Sequence, residues 1–236
     1  MSKRHDLQNH IKSLNEISEI MASIKTLSML EMHKIAQALK NQERIVSNIE
    51  AMAKDFANHY FLNFPATKQD KHCLLVLGSE RGFCGGFNEM ILQSLEQKLA
   101  SNADSTAGII AVGQKICSQL ADHPKLLASL SGVSVLEESG DVIQNILNNF
   151  KELQLTHHFN SLEVLFYEHK DESIKNLHLF PPFRELKADS SVTGFPPILN
   201  LDESTFLNSL IDQFLFFRVY EMIYSSAMIE NQQRIR

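Results

Sequence analysis

The residues best suited to chemistry lie in the stretch LVLGSERGFCGGFNEMIL, Leu75 to Leu92. An apolar run leads into Gly82, Gly85 and Gly86, and Asn88 then opens an apolar-periodic segment. That is the outline of a strand, a glycine turn and a helix, a shape that holds phosphates when backbone N–H groups converge at a helix N-terminus. A phosphate loop of the Walker type needs Gly-x-x-x-x-Gly-Lys-Ser/Thr, with the lysine reaching the phosphates. Here Phe87 and Asn88 follow Gly85 and Gly86, so the lysine is missing. The spacing Gly-x-Gly-x-x-Gly and an acid to hold a ribose are missing too. The glycines therefore read as backbone freedom for a sharp strand-to-helix connection. Asn88 is the expected N-cap, with Phe83 and Phe87 packed against neighbours. Cys84 would be a nucleophile only with a depressed pKa. Arg81 is close in sequence, yet a small buried hydrophobe is the expected role of this cysteine.

Other candidates are weaker. Ten histidines are scattered along the chain. His157 and His158 are adjacent, and neighbours on a strand point to opposite faces. His169 sits in YEHKDES, which reads as a solvated turn. Glu137–Glu138 and Asp171–Glu172 also read as surface turns rather than acid–base pairs. No Cys/His grouping is tight enough for zinc. No catalytic residue, metal site or cofactor is expected. Cys73, Cys84 and Cys117 form no Cys-x-x-Cys pair, and free thiols fit a reducing compartment.

Composition narrows the partners. The 236 residues carry a net charge of -6 and show no basic stripe, which argues against nucleic acid. The longest apolar runs are far shorter than the roughly 20 residues of a membrane span, so no direct membrane insertion is expected. The opening MSKRHDLQNHIKS has no apolar signal-peptide core, and a cytoplasmic location is expected.

The elements that must position the loop are announced by punctuation. No glycine or proline precedes Pro65 and none follows Pro197, while between them they recur every few residues. Glycine and proline break helices, so both ends read as long helices and the middle as a compact unit. The N-terminal stripe runs Leu7, Ile11, Leu14, Ile17, Met21, Ile24, Leu27, Leu30, Ile35, Leu39, Gln42, Val46, Ile49, Met52 and Phe56, a helical period. A helix over residues 4–58 would be on the order of 80 Å long and would outrun its own domain. The C-terminal segment supplies Leu207, Leu210, Ile211, Phe214, Phe217, Tyr220, Tyr224 and Met228, capped by Asp202 or Ser204. Glu230 and Arg234, four apart, are expected to pair on its surface. The two helices are expected to pack as an antiparallel coiled coil.

Between them, strands are expected at 72–78, 107–113, 133–136, 161–169 and 176–183, and helices at 89–100, 114–121 and 141–153. Such alternation predicts an α/β fold class: a Rossmann-like, mostly parallel domain beside the long coiled coil. The expected division is an N-terminal shaft helix at 1–64, the α/β domain at 65–200 and a C-terminal shaft helix at 201–236.

GSERGFCGGFN resembles the Ser-Asp-Arg-Gly-Leu-Cys-Gly-Gly-Phe-Asn signature of the gamma subunit of F-type ATP synthases. LQNHIKSLNEISEIMASIKTLSMLEMHKIAQAL is similar to that family's opening helix. VYEMIYSSAMIENQQRI resembles its Ser/Ala-Ser-Glu-x-x-x-Arg-Met stretch, with Glu230 and Arg234 at the matching places. The resemblance implies a coiled-coil shaft on a Rossmann-like foot. It implies a rotor that couples ion flow to ATP synthesis or hydrolysis without binding a nucleotide or making a bond itself. The implied partners are the alpha/beta-type catalytic ring, a small epsilon-type stalk subunit and a membrane c-type ring driven by protons or sodium. The implied location is peripheral, on the cytoplasmic side of the inner or plasma membrane. Met21, Ile24, Lys25 and Met29 are then expected to face the ring or a partner helix. The loop ADSSVTGFPP, residues 188–197, is expected to lie towards the membrane ring.

Two departures stand against that pattern. The family's opening helix is rich in Lys and Arg, but residues 1–60 hold eight Lys/Arg against seven Asp/Glu. Members also continue for several helical turns beyond the Glu-x-x-x-Arg stretch. If residue 202 lies beside residue 56, Arg236 falls near residue 22 and the seam from Leu7 to Met21 has no partner within the chain. Either the chain is part of a longer subunit, or it is a shortened, divergent relative. A gamma-like interaction module without a rotary role, and a nucleotide-binding enzyme, are the alternative readings.

Overall fold

The computed structural model describes residues 2–60, 71–101, 105–183, 195–196 and 198–236. Helix α1, Ser2–His59, is unbroken for 58 residues. Helix α5, Glu203–Ile235, runs back along it. Asp202 caps α5 as expected, its carboxylate accepting from the Thr205 N–H at 2.9 Å. Ile35, Leu39, Val46, Ile49, Ala53 and Phe56 of α1 are buried in this seam at steps of three, four and seven, the spacing of left-handed coiled-coil packing. The register differs from the expected one by about a turn: Phe56 packs on Phe206 with the rings tilted, centroids 5.2 Å apart.

The seam stops at Ser28, which is buried. Before it, Leu7, Leu14 and Met21 continue the same spacing but are 62, 65 and 60% exposed. The stripe expected to lack a partner in the chain does lack one among the described residues.

The body is a five-stranded sheet in the order β3-β2-β1-β4-β5. Its strands are β1 His72–Leu77, β2 Thr106–Val112, β3 Leu126–Leu130, β4 Ser161–Glu168 and β5 Ser173–Phe180. All pairings are parallel except the β4–β5 hairpin. The near-continuous apolar strands follow from burial on both faces. Leu75, Leu77, Ile110, Val164 and Phe166 face α4 (Ser139–His157), α1 and α5. Leu74, Val76, Ile109, Leu165 and Tyr167 face α2 (Phe87–Ser101) and α3 (Gln114–Leu120).

Three expectations are corrected here. The third strand is Leu126–Leu130, not 133–136: the apolar run LLASL pairs with β2, and the chain after Gly132 bends into a single 3-10 turn, Leu136–Glu138. His157 and His158 are not on a strand. They are the last residue of α4 and its left-handed cap, φ +54°. The turn around His169 is not simply solvated but grips both long helices. The His169 N–H donates to Ser225 Oγ at 2.8 Å, Lys170 pairs with Glu43 of α1 at 2.9 Å, and Glu172 accepts from Gln232 at 2.7 Å.

Candidate functional site

β1 delivers residues 78–86 to the carboxyl end of the sheet. Gly85 holds φ +55°, where a Cβ is costly. Phe83 also has positive φ, +60°, and its side chain is 76% exposed, so the expectation that it packs inward fails. Phe87 does pack inward, stacked on Tyr167 at 4.5 Å.

Asn88 is not the N-cap. It lies in the first turn of α2, buried, and reaches back to the end of β1. Its Oδ1 accepts from the Ser79 N–H at 3.0 Å, and its Nδ2 donates to Ser79 Oγ at 2.7 Å. Cys84 is buried beside them, its thiol donating to Ser79 Oγ at 3.4 Å, and burial pushes its pKa up. That is the opposite of what a nucleophile needs.

Glu230 and Arg234 pair as their spacing predicts, but in the interior rather than on the surface. Glu230 Oε1 accepts from Arg234 Nη2 and from the Arg81 backbone N–H, the latter at 3.4 Å. Arg234 Nε donates to the Gly82 carbonyl at 3.1 Å. α5 thus holds the glycine loop from both sides of Arg81. Burial pushes the Glu230 carboxyl up to about 7, against the pull of Arg234 and the Arg81 N–H. The Arg81 guanidinium turns the other way. It donates to Glu31 of α1 at 3.4 Å and to the Ser134 carbonyl at 2.7 Å. Glu31, Arg81, Tyr224, Glu230 and Arg234 line a cavity of about 30 Å³, room for about one water.

This cluster adjoins the place where a doubly wound sheet takes its ligand, the crevice at the carboxyl ends of strands where the strand order reverses. Here that point lies between β1 and β4. Their pairing ends at Val76–Leu165. Beyond it α5 takes over: Ser226 Oγ accepts the Tyr167 N–H at 3.0 Å, and Ser225 accepts that of His169. At the start of α3 the Glu80 carboxylate accepts from the N–H groups of Gln114 (2.9 Å) and Gly132 (2.6 Å). The chain's own side chains fill the crevice. No group of three or more His, Cys, Asp or Glu side chains suited to a metal occurs among the described residues.

The structure therefore brings Arg81, Gly82, Cys84, Gly85, Gly86, Asn88, Glu230 and Arg234 together. Met21, Lys25 and Met29 lie apart, exposed on α1, with Ile24 half-buried. The loop 188–197 lies outside the described residues except Phe195 and Pro196. Glu31, Ser79, Glu80, Ser225 and Ser226 were missed by the sequence reading. The adjacent serines in the apolar run of α5 were the available signal, because buried hydroxyls need partners. Glu31 carried none.

An α/β body whose switch-point crevice is occupied by its own side chains, carried on paired terminal helices, is a fold with a helical shaft on an α/β base. Residues 3–236 match the family model for ATP synthase, and the chain belongs to that family. It is 20% identical over 242 residues to the ATP synthase gamma chain of Flavobacterium johnsoniae, covering 100% of this chain and 84% of the relative. With the ATP synthase gamma chain of Azorhizobium caulinodans it shares 22% over 252 residues, covering 98% and 82%. Its fold matches a chain from the central stalk and c-ring of Tetrahymena thermophila mitochondrial ATP synthase with a TM-score of 0.66 at 16% identity, covering 92% of this chain and 96% of that one. A rotor chain of Euglena gracilis mitochondrial ATP synthase gives 0.62 at 15% identity, covering 95% and 86%.

Proposed function

We propose that this chain is the central-stalk rotor subunit of an F-type ATP synthase, a non-catalytic part that couples ion-driven rotation to ATP synthesis or hydrolysis elsewhere in the complex. The observation that carries this reading is the uncovered half of α1. A single helix leaves the body with its coiled-coil stripe intact and no partner within the described chain. Exposed apolar surface of that extent marks an interaction site. The residues Leu7 to Leu30, with Met21, Ile24, Lys25 and Met29 among them, face the alpha/beta-type catalytic ring. α1 and α5 form the shaft, and the α/β body between them forms the foot. The foot meets the membrane c-type ring and the epsilon-type subunit, peripheral to the membrane on its cytoplasmic side. Among the described residues no helix is long and apolar enough to cross a membrane.

The coupled ion is a proton or sodium. Replacing a resident gamma subunit with this chain tests the role: ATP-driven ion pumping returns if it is a rotor. Assembly into the ring without pumping would leave an interaction module, the reading that the near-neutral charge of α1 favours. A chain that never co-purifies with ring subunits would end both. Calorimetric titration with ATP, ADP and NAD should give no micromolar binding, because Ser225, Ser226 and Glu80 already hold the backbone N–H groups of the crevice.

A further inference from the structure

We propose that Arg81 is the positioning residue that sets the direction in which the free half of α1 leaves the body. The inference rests on the rotor reading for its function, though not for its geometry. The inward stripe of α1 is buried from Ser28 to Phe56 and bare before Ser28. Whatever holds α1 at that boundary decides where the bare half points. Lys34–Glu137, at 3.3 Å, is one contact there, but both side chains are mostly exposed and such pairs hold weakly. Among the described residues the other ion pair there is Arg81–Glu31, with Glu31 largely sheltered.

Arg81 suits the task because its contacts diverge. Its guanidinium reaches Glu31 on α1 and the Ser134 carbonyl on the body, while its own N–H is held by Glu230 on α5. A planar fork with several donors can make two such contacts at once, which lysine cannot reproduce. The neighbouring Gly82 carbonyl is fixed by Arg234, so the base of the Arg81 side chain has little freedom. One residue therefore references α1 to both α5 and the sheet. Residues 4–27 form a lever of about 36 Å, so a tilt of about 5° at the boundary moves its tip by about 3 Å. That is enough to misplace a stripe that must seat in a ring.

The test uses the full-length chain with spin labels near the tip at Gln8→Cys and on the body at Asn148→Cys, both exposed, in a Cys117→Ser background. The distance distribution between the labels reports the direction of the free half. Arg81→Gln and Glu31→Gln should each broaden or shift it by about 3 Å, the displacement of the lever above. The double variant should do no more than the larger single one, because both act through one contact. Arg81→Lys should fall between. Distributions that stay unchanged, or single effects that simply add, overturn the proposal. Glu31→Gln, which alters only α1, keeps the test alive if Arg81→Gln fails to fold. In the assembled complex, Glu31→Gln should lose ion pumping per ATP while ATP hydrolysis persists. Undiminished pumping in a variant whose distances have broadened overturns the mechanical role. A chain that never joins a ring counts against the rotor reading and leaves the distance result standing.

Discussion

Glu230 links stability to pH, and the effect can be worked through. Its carboxyl is pushed from 4.5 to about 7, first by burial, with Arg234 and Arg81 opposing. The folded protein therefore keeps a proton on Glu230 in a range where the unfolded chain has lost it. By linkage, a carboxyl raised on folding stabilises the fold fully below its unfolded pKa, and that stability disappears as pH rises through the folded pKa. The window runs from about pH 4.5 to somewhat above 7. A shift of that size corresponds to about 3 kcal/mol, an upper figure given the neighbouring guanidinium. Glu230→Gln is the matching perturbation. Its amide oxygen can still accept from the Arg81 N–H and from Arg234, so it mimics the protonated acid and titrates nowhere. Urea unfolding midpoints, read by circular dichroism at steps from pH 5 to pH 8, give the comparison. The wild-type protein should lose stability relative to Glu230→Gln across this range, most steeply between about pH 5 and 7 and hardly at all by about pH 8. A difference between the two proteins that stays constant with pH would refute the argument and show that Arg234 keeps Glu230 ionised throughout.

Further outcomes follow from the same contacts. Gly113→Ala should destabilise the fold by about 2–4 kcal/mol in denaturant titrations, since φ is +109° and a Cβ would sit 2.6 Å from the Gly78 carbonyl oxygen. Asn88→Leu strands the buried N–H of Ser79 and removes one donor to its hydroxyl, and should cost about 1–3 kcal/mol, whereas an N-cap role would predict rescue by Asn88→Asp. Tyr224→Phe removes the hydroxyl that joins Ser139 to Tyr220 and should cost about 1–2 kcal/mol, read as a lowered Tm. Cys73 and Cys84 should resist iodoacetamide at pH 8 in the folded protein, judged by mass spectrometry, because burial pushes Cys73 up to about 12 and raises Cys84 as well.

The long helices were legible because their signal is redundant. Fifteen stripe positions in α1 and the absence of glycine and proline point the same way. The strand at β3 was misplaced because LLASL and VSVL are equally short and apolar, and only pairing with β2 separates them. The loop was recognised as a motif, but its wiring was not. Asn88 looks like a cap in one dimension, and only the path of the chain after β1 returns Ser79 to it. Glu230–Arg234 looked like a surface pair because i,i+4 spacing does not reveal which face is buried. Glu31, 50 residues from Arg81, could not be paired by any local rule.

The element that closes the crevice follows every strand that it serves in the chain, and this has a consequence for biogenesis. Phe56 and Phe206 meet across 150 residues, and contacts that distant form late. While α5 is still inside the ribosome, the Tyr167 and His169 amides lack their serine acceptors and the seam of α1 stands bare. Nascent chains in that state are prone to aggregate. The subunit should therefore depend on chaperones until α5 emerges, and ribosome-stalled chains that lack α5 should be captured by them.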